Sequence, residues 1–268
     1  MMEVWQAFWL GLTQGLAEFV PISSSGHLEI MREILSGNPE SFHLFLEFIN
    51  VGTLLVLLIY YRKRIIEILR EVFVEHNFKF ALNIILTCIP VVIAALLLND
   101  LIDSSPFFSN LSVIATMMAL VGILMINIKR LPKCKKIKNE KELTSKKAIG
   151  IGIAQCFALI PGTSRSGTTI LAGRIAGMDN KSAADYSFLV SIVVMTGVVA
   201  KSLLSSTSRA YISENWGMLL FANAVALISG LIAIKFVMKF LKKEGSLEAF
   251  GWYRVIVAII VIIFELLK

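Results

Sequence analysis

The stretch QGLAEFVPISSSGHL, residues 14–28, interrupts a long apolar run with polar side chains. Gln14 and Glu18 are four residues apart, so on a helix they share one face. Pro21 ends that helix, because proline clashes with the preceding turn and restricts the residue before it. The Ser-Ser-Ser-Gly run at 23–26 and the histidine after it give a turn with free hydroxyl and backbone N–H groups. Such a turn suits a phosphate group held near a metal ion or a proton-transfer group.

A second stretch, QCFALIPGTSRSGTT at residues 155–169, repeats this pattern. A shift of 141 positions makes six pairs coincide: Gly11 with Gly152, Gln14 with Gln155, Ala17 with Ala158, Ser23 with Ser164, Ser25 with Ser166 and Gly26 with Gly167. The coincidences predict an old duplication of about half the chain. The copies differ where chemistry would differ, and the differing pairs are Glu18 with Leu159, Ser24 with Arg165 and His27 with Thr168. One half therefore brings an acid and an imidazole, and the other brings a fixed positive charge.

Composition indicates a membrane protein. Of the 268 residues, 56% are hydrophobic and 17% are charged, and the mean hydropathy is +0.76. A soluble domain carries about 25% charged residues, and here the charges cluster between long apolar runs. The alternative is a soluble all-α protein with deeply buried helices.

The net charge of +7 would suggest a nucleic-acid partner in a soluble protein. Here the placement of basic residues in loops explains the charge better, and we expect no nucleic-acid partner. Cys88, Cys134 and Cys156 are scattered without a Cys-x-x-Cys spacing, so neither a disulfide framework nor a zinc site is predicted.

Apolar runs predict six membrane-crossing helices and two broken ones. Runs of about crossing length lie at 43–60, 80–98, 107–128, 185–205, 216–237 and 250–267. Residues 2–35 are interrupted by Pro21 and the serines, and residues 148–178 by Pro161 and Gly162, so neither part makes one continuous crossing. Such irregular backbone is tolerated only where protein or a wet cavity covers it. The predicted fold is an all-α polytopic membrane protein with six transmembrane helices plus two re-entrant helical hairpins.

Loop charges predict the orientation, because cytoplasmic loops carry an excess of lysine and arginine. Most basic residues lie in 61–79, 129–147 and 235–249, whereas 99–106 and 206–215 carry only Arg209. The basic loops are therefore expected in the cytoplasm and both termini outside.

The same reasoning sends the first hairpin in from outside and the second in from the cytoplasm. We expect one membrane domain over 1–268, made of inverted repeats at about 1–128 and 148–268 joined by the basic loop 129–147. The two hairpin tips would then meet near the middle of the membrane and build a polar site there.

Arg165 is the one basic residue that the apolar pattern places deep, away from the ends of the spans. A buried arginine is costly unless it is paired, so it is either a brace for Glu18 or Glu47, or a bidentate clamp on a phosphate. The neighbouring hydroxyls favour an anion, and they belong to Ser164, Ser166, Thr168 and Thr169.

Each of the other polar residues likewise has two interpretations, one structural and one functional. Glu18 is either a paired or neutral buried acid, or a metal ligand or general base. Gln14 either bridges helices or adds an oxygen to a Mg²⁺ or Ca²⁺ site. His27 is either a core histidine or a proton shuttle. The serines 23–25 either cap the next helix or provide a nucleophile at Ser24 or Ser25. These features alone do not separate an enzyme from a transporter.

The two stretches resemble the signature motifs of the bacterial undecaprenyl-diphosphatase family, also called the bacitracin-resistance protein family. The first motif is matched by Gln14, by Glu18-Phe19-Val20-Pro21 and by Ser23-Ser24-Ser25-Gly26-His27. The second is matched by Pro161-Gly162-Thr163-Ser164-Arg165-Ser166-Gly167-Thr168-Thr169. The similarity covers essentially the whole chain.

The resemblance implies a bacterial cytoplasmic-membrane enzyme that removes the terminal phosphate of undecaprenyl diphosphate. The product is the lipid carrier for peptidoglycan and other wall polymers, and the activity confers bacitracin resistance. The chemistry would lie at the outer face and depend on a divalent cation, Mg²⁺ or Ca²⁺. Membrane lipid surrounds such a protein, and a homodimer is compatible with the resemblance. The rival reading is a transporter or flippase of a phosphorylated polyprenyl lipid, since inverted repeats serve alternating access.

The family treats the positions of Glu18, Ser24, His27 and Arg165 as catalytic. Phosphate-binding positions are expected at Ser23, Ser25, Gly26, Ser164, Ser166, Gly167 and Thr169, and metal ligands at Gln14 and Glu18. Gln14 is a permitted variant of an acid, so a metal site here has one fewer charge. The first span has Leu46 directly after Phe45, where an acid or amide was expected, and Glu47 follows one position later. The attacking group is either Ser24 or a metal-bound water activated by Glu18 or His27.

Overall fold

The computed structural model describes residues 3–35, 39–131, 134–137, 140–243 and 245–268, without the side chains of 39–41, 43, 99–100 and 103–104. No described residue lies in a β-strand, and the predicted all-α class is confirmed. The helices are α1 Val4–Phe19, α2 Ser24–Leu35, α3 Pro39–Tyr60, α4 Arg62–Phe73, α5 Lys79–Ser104, α6 Pro106–Ser109, α7 Leu111–Ile126, α8 Ser145–Cys156, α9 Arg165–Ile175, α10 Asn180–Leu204, α11 Ser206–Phe240 and α12 Ser246–Leu266. Glu140–Glu142 and Phe157–Leu159 are short 3₁₀ helices.

Helix length and hydropathy agree with a multi-pass membrane protein. Among the described residues, four helices are long and apolar enough to cross a membrane, in α5, α10, α11 and α12. The segment Leu44–Tyr60 joins α4 at a bend of 69° and makes a fifth if the pair is one span. The apolar helix at the predicted span 107–128 is the 16-residue α7. The number of six crossings therefore stays a prediction.

The predicted broken pairs are present as pairs of short helices. The first pair is α1 with α2, and the second is α8 with α9. In each pair the chain leaves the helical conformation at a proline-containing segment, around Pro21 or Pro161, and then begins a new helix at a Ser-rich turn. The chemistry-bearing residues lie at these two turns.

Helices extend into three predicted loops, 61–79, 99–106 and 206–215. Residues 206–215 form the first turns of α11, which begins where Ser205 Oγ caps the backbone N–H of Ser208. The segment contains no proline or glycine to stop a helix, so a polar stretch continues the apolar one. Within 61–79 the chain forms the amphipathic α4. In the basic loop 129–147, residues 132–133 and 138–139 lie outside the described residues.

Two glycines, one in each broken pair, make the same kind of close helix contact. Gly11 of α1 lies directly against Ala222 of α11, and a Cβ atom there would overlap the Ala222 carbonyl group. Its counterpart Gly152 of α8 lies in the same way against the Thr87 carbonyl group of α5. Small residues let helix backbones approach closely inside a membrane. The two broken pairs are therefore anchored on long helices by glycines 141 positions apart.

The outer surface is strongly apolar. Large hydrophobic side chains are more than half exposed along the long helices, among them Leu96, Leu97, Ile232 and Ile260. A soluble monomer rarely exposes so much contiguous apolar surface. The predicted soluble alternative therefore does not fit, and this surface suits contact with lipid.

Candidate active site

The turns before α2 and α9 have the same backbone geometry. Ser23 and Ser164 have φ angles of 80° and 73°, which non-glycine residues rarely adopt. The Oγ atom of Ser23 accepts a hydrogen bond from the N–H of Gly26 at 3.2 Å, and that of Ser164 accepts one from Gly167 at 3.1 Å. Both serines therefore cap the following helix. A strained position that occurs in both turns directs the neighbouring side chains in a fixed way.

Glu18 and Arg165 form an ion pair between the two turns, through Oε1 and Nη2. The side chains are 10% and 22% exposed, respectively, so the pair is largely shielded from solvent. The prediction that the two motifs meet is borne out by this contact. Arg165 therefore pairs with Glu18, which is one of the two counter-ions expected for a structural role of this arginine. Among the described contacts, none joins Arg165 to Glu47.

The Glu18 carboxylate also accepts hydrogen bonds from the first motif itself. Ser24 Oγ donates to Glu18 Oε2 at 2.7 Å. Gln14 Nε2 donates to the same oxygen at 3.1 Å and to Asn50 Oδ1 of α3 at 2.8 Å. A serine hydroxyl held by a carboxylate, with a guanidinium on the other carboxylate oxygen, is a nucleophile–base arrangement beside an anion-binding group.

A small polar cavity of about 240 Å³ opens beside this cluster. Its lining includes Gln14, Ser24, Ser25, Glu47 and Asn50. The side chain of Glu47 accepts a hydrogen bond from Ser202 Oγ at 3.1 Å, so this acid lies at the cavity but is bonded to α10. The cavity is the accessible side of the site, because Ser25 is exposed and Ser24 is partly exposed.

Most of the predicted phosphate-binding residues are buried in this state. Gly26, Gly167 and the side chains of Ser23, Ser164, Ser166 and Thr169 are buried. Ser166 Oγ lies 3.4 Å from the Glu18 carbonyl oxygen, and Thr169 Oγ1 donates to the Arg165 carbonyl oxygen at 2.8 Å. The structure therefore uses these groups for capping and helix packing, and leaves Ser24, Ser25 and Arg165 accessible at the site.

The structure does not bring His27 to the Glu18 cluster. Its Nδ1 lies 2.7 Å from the Ser23 carbonyl oxygen, and its Nε2 lies 2.9 Å from the Tyr253 hydroxyl of α12. A carbonyl only accepts, so a neutral ring carries its proton on Nδ1 and Nε2 accepts from the tyrosine. Among the described contacts, none joins the imidazole to Glu18, Ser24 or Arg165.

His27 lines a second, larger cavity of about 630 Å³. This apolar groove lies between α1, α11 and α12, and its walls include Leu16, Ile232, Phe236 and Phe250. Its polar side chains belong to Thr13, His27 and Tyr253. The imidazole and tyrosine rings are stacked, with centroids 5.7 Å apart. The lining of an apolar groove thus includes a hydrogen-bonded histidine immediately after the Ser-rich turn.

Arg254 is a second deep arginine, and the interpretation of Arg165 as the one deep basic residue is wrong. Arg254 of α12 is fully buried. Its guanidinium donates to four carbonyl oxygens: Met118 at 3.0 Å, Pro21 at 3.3 Å, Gly162 at 2.8 Å and Thr163 at 3.0 Å. These carbonyls belong to α7 and to both turns, so Arg254 ties the two hairpin tips together. Its charge inside the apolar run 250–267 was the available signal, but its closeness to the start of the run made it look like a span end.

The donor set at the cluster fits a hard divalent cation that is shared with a bound phosphate. Among the described residues, no group of three or more His, Cys, Asp or Glu side chains converges. Mg²⁺, however, is commonly held by one or two carboxylates together with substrate phosphates and water. Glu18 and the Ser24 hydroxyl are oxygen-bearing groups of that kind, joined by a hydrogen bond. Gln14 presents its Nε2 to Glu18, so its amide would have to turn to offer a cation its oxygen.

Comparisons with known proteins agree with the motifs. The family model described as "Bacitracin resistance protein BacA" matches residues 7–260. A protein of Fusobacterium nucleatum named undecaprenyl-diphosphatase is 35% identical over 263 residues, covering 95% of this chain and 97% of the relative. Undecaprenyl-diphosphatase 1 of Clostridioides difficile is 34% identical, with 98% and 96% covered. An undecaprenyl-diphosphatase of Acinetobacter baumannii is 32% identical, with 97% and 95% covered.

Proposed function

Because the chain belongs to the bacitracin resistance protein BacA family, we propose that it hydrolyses undecaprenyl diphosphate to undecaprenyl phosphate and inorganic phosphate. The protein is a membrane-bound hydrolase that recycles the lipid carrier of cell-wall synthesis, and its activity accounts for bacitracin resistance. The observation that carries this function is the contact between the two motifs, in which one carboxylate holds both Arg165 and Ser24. This cluster offers a nucleophile, a base and an anion clamp at one point.

The first step is an exchange of partners at Arg165. The guanidinium leaves Glu18 and binds the terminal phosphate of the substrate, since a diphosphate offers bidentate oxygens and more negative charge than one carboxylate. As the phosphoryl group transfers, Arg165 stabilises the charge that spreads over its oxygens. The Glu18 carboxylate, freed from the guanidinium, is then available to accept a proton from Ser24.

The Ser24 hydroxyl then attacks the terminal phosphorus, and its proton passes to Glu18 Oε2, which already accepts its hydrogen bond. The bond from that phosphorus to the bridging oxygen breaks, and undecaprenyl phosphate leaves with the electron pair. Water hydrolyses the phosphoserine, returning the proton to Ser24 and releasing phosphate. The 2.7 Å contact favours this route over direct attack by water. A divalent cation, Mg²⁺ or Ca²⁺, held by Glu18 and Gln14, would supply charge neutralisation for the diphosphate.

The apolar groove is the place for the polyprenyl chain. Its walls are mainly hydrocarbon, its volume is about 630 Å³, and its lining includes His27, immediately after the Ser-rich turn. A chain lying there would bring its diphosphate end toward the loop that carries Ser24. His27, held by Tyr253, would then exchange a proton with the phosphate groups at the groove end.

The two halves are inverted in the membrane in this proposal, as repeats at about 1–128 and 148–268. The basic stretches lie in the cytoplasm, both termini lie outside, and the active site opens to the outer face. Hairpin tips that enter the membrane from opposite sides would touch each other inside it. The Glu18–Arg165 ion pair is a contact of this kind between the two tips. A homodimer is a further expectation, which light scattering of the purified protein would test.

Hydrolysis by the purified protein tests the proposed function. Phosphate should be released from undecaprenyl diphosphate, should cease when EDTA removes divalent cations, and should return with Mg²⁺ or Ca²⁺. A flippase would instead move a labelled lipid between leaflets of a vesicle without releasing phosphate. Transport without hydrolysis would overturn the proposal.

Replacing Ser24 by alanine should lower phosphate release by about 10³-fold or more, because the nucleophile is removed. Ser25→Ala is the matched control in the adjacent position, and its effect should be small. In the wild-type protein, rapid acid quenching with ³²P-labelled substrate should trap a label on Ser24. A Ser24→Ala enzyme that keeps most of its rate would favour attack by water.

Replacing Tyr253 by phenylalanine should lower the rate by about ten-fold and change its pH profile, because His27 loses the partner that orients Nε2. The control is Tyr60→Phe, an exposed tyrosine at the end of α3 that lines neither the apolar groove nor the polar cavity. Initial rates measured across the pH range check this expectation. An unchanged pH profile of the rate in Tyr253→Phe would mean that the contact between His27 and Tyr253 has only a packing role.

Accessibility of single cysteines checks the orientation. The natural Cys134 is exposed and lies in the basic loop, so it should not react with an impermeant thiol reagent in intact cells. Thr207→Cys in a Cys134→Ser background lies at the exposed start of α11 and should react. The reverse labelling pattern would place the active site on the other side.

A further inference from the structure

We propose that a cavity among basic residues, separate from the active site, binds the phosphate group of an anionic phospholipid. This basic cavity has a volume of about 510 Å³ and lies between the basic loop, the α9–α10 turn and the end of α11. It shares no lining residue with the polar active-site cavity or with the apolar groove. The proposal does not depend on the hydrolytic function.

The walls of the cavity are fixed by backbone contacts. Cys134 N–H donates to the Ile175 carbonyl at 2.8 Å, and Ile137 N–H donates to the Gly177 carbonyl at 3.1 Å. Gly177 has a φ of 105°, and a Cβ atom there would overlap the carbonyl group of Lys135. The described part of the loop, 134–137, is therefore docked on the α9–α10 turn and forms a wall of defined shape.

The lining is strongly positive. It has five basic side chains, from Lys136, Arg174, Lys181, Lys242 and Lys243, and one acid, Asp179. The acid caps α10 by accepting from the Ser182 N–H at 2.7 Å. With five basic side chains and one acid, the lining has a positive net formal charge. These residues come from three separate segments of the chain.

Several of these charges have no counter-ion among the residues that the structure describes. Lys181 pairs with Asp185 at 2.9 Å. In contrast, no described carboxylate pairs with Lys136, Lys242 or Lys243, and Glu244 lies outside the described residues. Arg174 donates through Nη1 to the Met178 carbonyl at 2.6 Å, and its buried Nε has no hydrogen-bond partner in the described structure. A multivalent oxyanion satisfies such a set, as guanidinium and ammonium groups bind phosphate well.

The location favours a lipid as the source of the phosphate. The cavity lies at the ends of α9 and α11 and the start of α10, and two of these helices are long enough to cross a membrane. Helix ends are where phospholipid headgroups lie, and basic cavities between membrane helices bind anionic headgroups. The buried side chains of Met178 and Leu241 form the apolar part of the lining.

Native mass spectrometry of the full-length protein in detergent tests the proposal, with phosphatidylglycerol and phosphatidylcholine as probes. The wild type should retain phosphatidylglycerol in preference to phosphatidylcholine. The triple variant Lys136→Gln, Lys242→Gln, Lys243→Gln should bind phosphatidylglycerol about ten-fold more weakly or worse. The matched control removes three exposed basic groups elsewhere, as Arg62→Gln, Lys63→Gln, Lys79→Gln, and should bind like the wild type. Unchanged hydrolysis by the triple variant would verify that it is folded.

A second experiment uses inorganic phosphate to distinguish a lipid headgroup from free phosphate as the ligand of the basic cavity. Phosphate should compete with phosphatidylglycerol weakly, because a free ion lacks the lipid chains that hold the headgroup at the membrane. If phosphate binds as tightly as the lipid, the site serves a soluble phosphate and the lipid assignment is overturned. If the triple variant and its control bind the lipid equally, the basic residues only direct membrane topology and the proposal fails.

Discussion

Replacing Arg165 by alanine should lower the hydrolysis of undecaprenyl diphosphate by about 10³-fold or more. An arginine that stabilises a transferring phosphoryl group contributes roughly 10³ to 10⁵ in rate, and Arg165 is the cation that contacts the Glu18 carboxylate. Arg165→Lys keeps the charge but loses the bidentate geometry, so we expect it to recover only a small part of the activity. Initial rates of phosphate release check both variants.

Glu18→Gln should cause a loss of similar size, because it removes the base for Ser24 and the charge opposite Arg165. The double variant Glu18→Gln, Arg165→Ala should be little worse than the poorer single variant, since the two groups act in one step and their effects do not add. Arg62→Gln, which changes an exposed arginine at the start of α4, is the control. An Arg165→Ala enzyme within ten-fold of the wild-type rate would eliminate the site assignment.

Replacing Arg254 by methionine should both destabilise the protein and lower its activity. The change leaves four carbonyl oxygens without their donor, and an unsatisfied buried group costs about 1–3 kcal/mol. Removing a buried charge offsets part of this cost, so we expect a net loss of about 2–4 kcal/mol. Thermal unfolding of the purified protein in detergent measures the change.

The activity of the Arg254→Met protein separates a positioning role from a purely structural one. Arg254 holds Pro21 and Gly162 together, so its loss should let the turns separate and lower kcat in the folded fraction, with a smaller change in KM. Arg254→Lys keeps the charge and part of the contacts, and should restore activity in part. A folded Arg254→Met protein with normal kcat would show that the turns are held without it.

The helices and the two broken pairs could be predicted from the sequence because apolar runs and their interruption by proline are local signals. The contact between Glu18 and Arg165 could also be predicted, because the two motifs match at an offset of 141 positions and this similarity indicated equivalent places in the fold. The helical start of α11 at residues 206–215 was missed because polarity marks the edge of the apolar layer and not the end of a helix.

The hydrogen-bond partners of the side chains at the site could not be predicted from the sequence in the same way. His27 is adjacent in sequence to the serines, yet its hydrogen bonds go to the Ser23 backbone and to Tyr253, 226 residues away. Ser164 and Ser166 look like phosphate ligands in the motif, but the unusual backbone at Ser164 turns their hydroxyls into the helix start. Side-chain direction depends on local dihedral angles, which a motif does not specify.

By itself, the sequence determined the all-α membrane class, the two motif turns and the opposition of an acid and an arginine, since these follow from hydropathy, proline and an internal repeat. Only the tertiary structure decided that Arg254 holds both turns, that His27 faces an apolar groove, and that scattered lysines converge on a basic cavity. The reason is physical: burial and hydrogen bonding of a side chain depend on helices distant in the chain, and a linear pattern contains no record of which of them pack together.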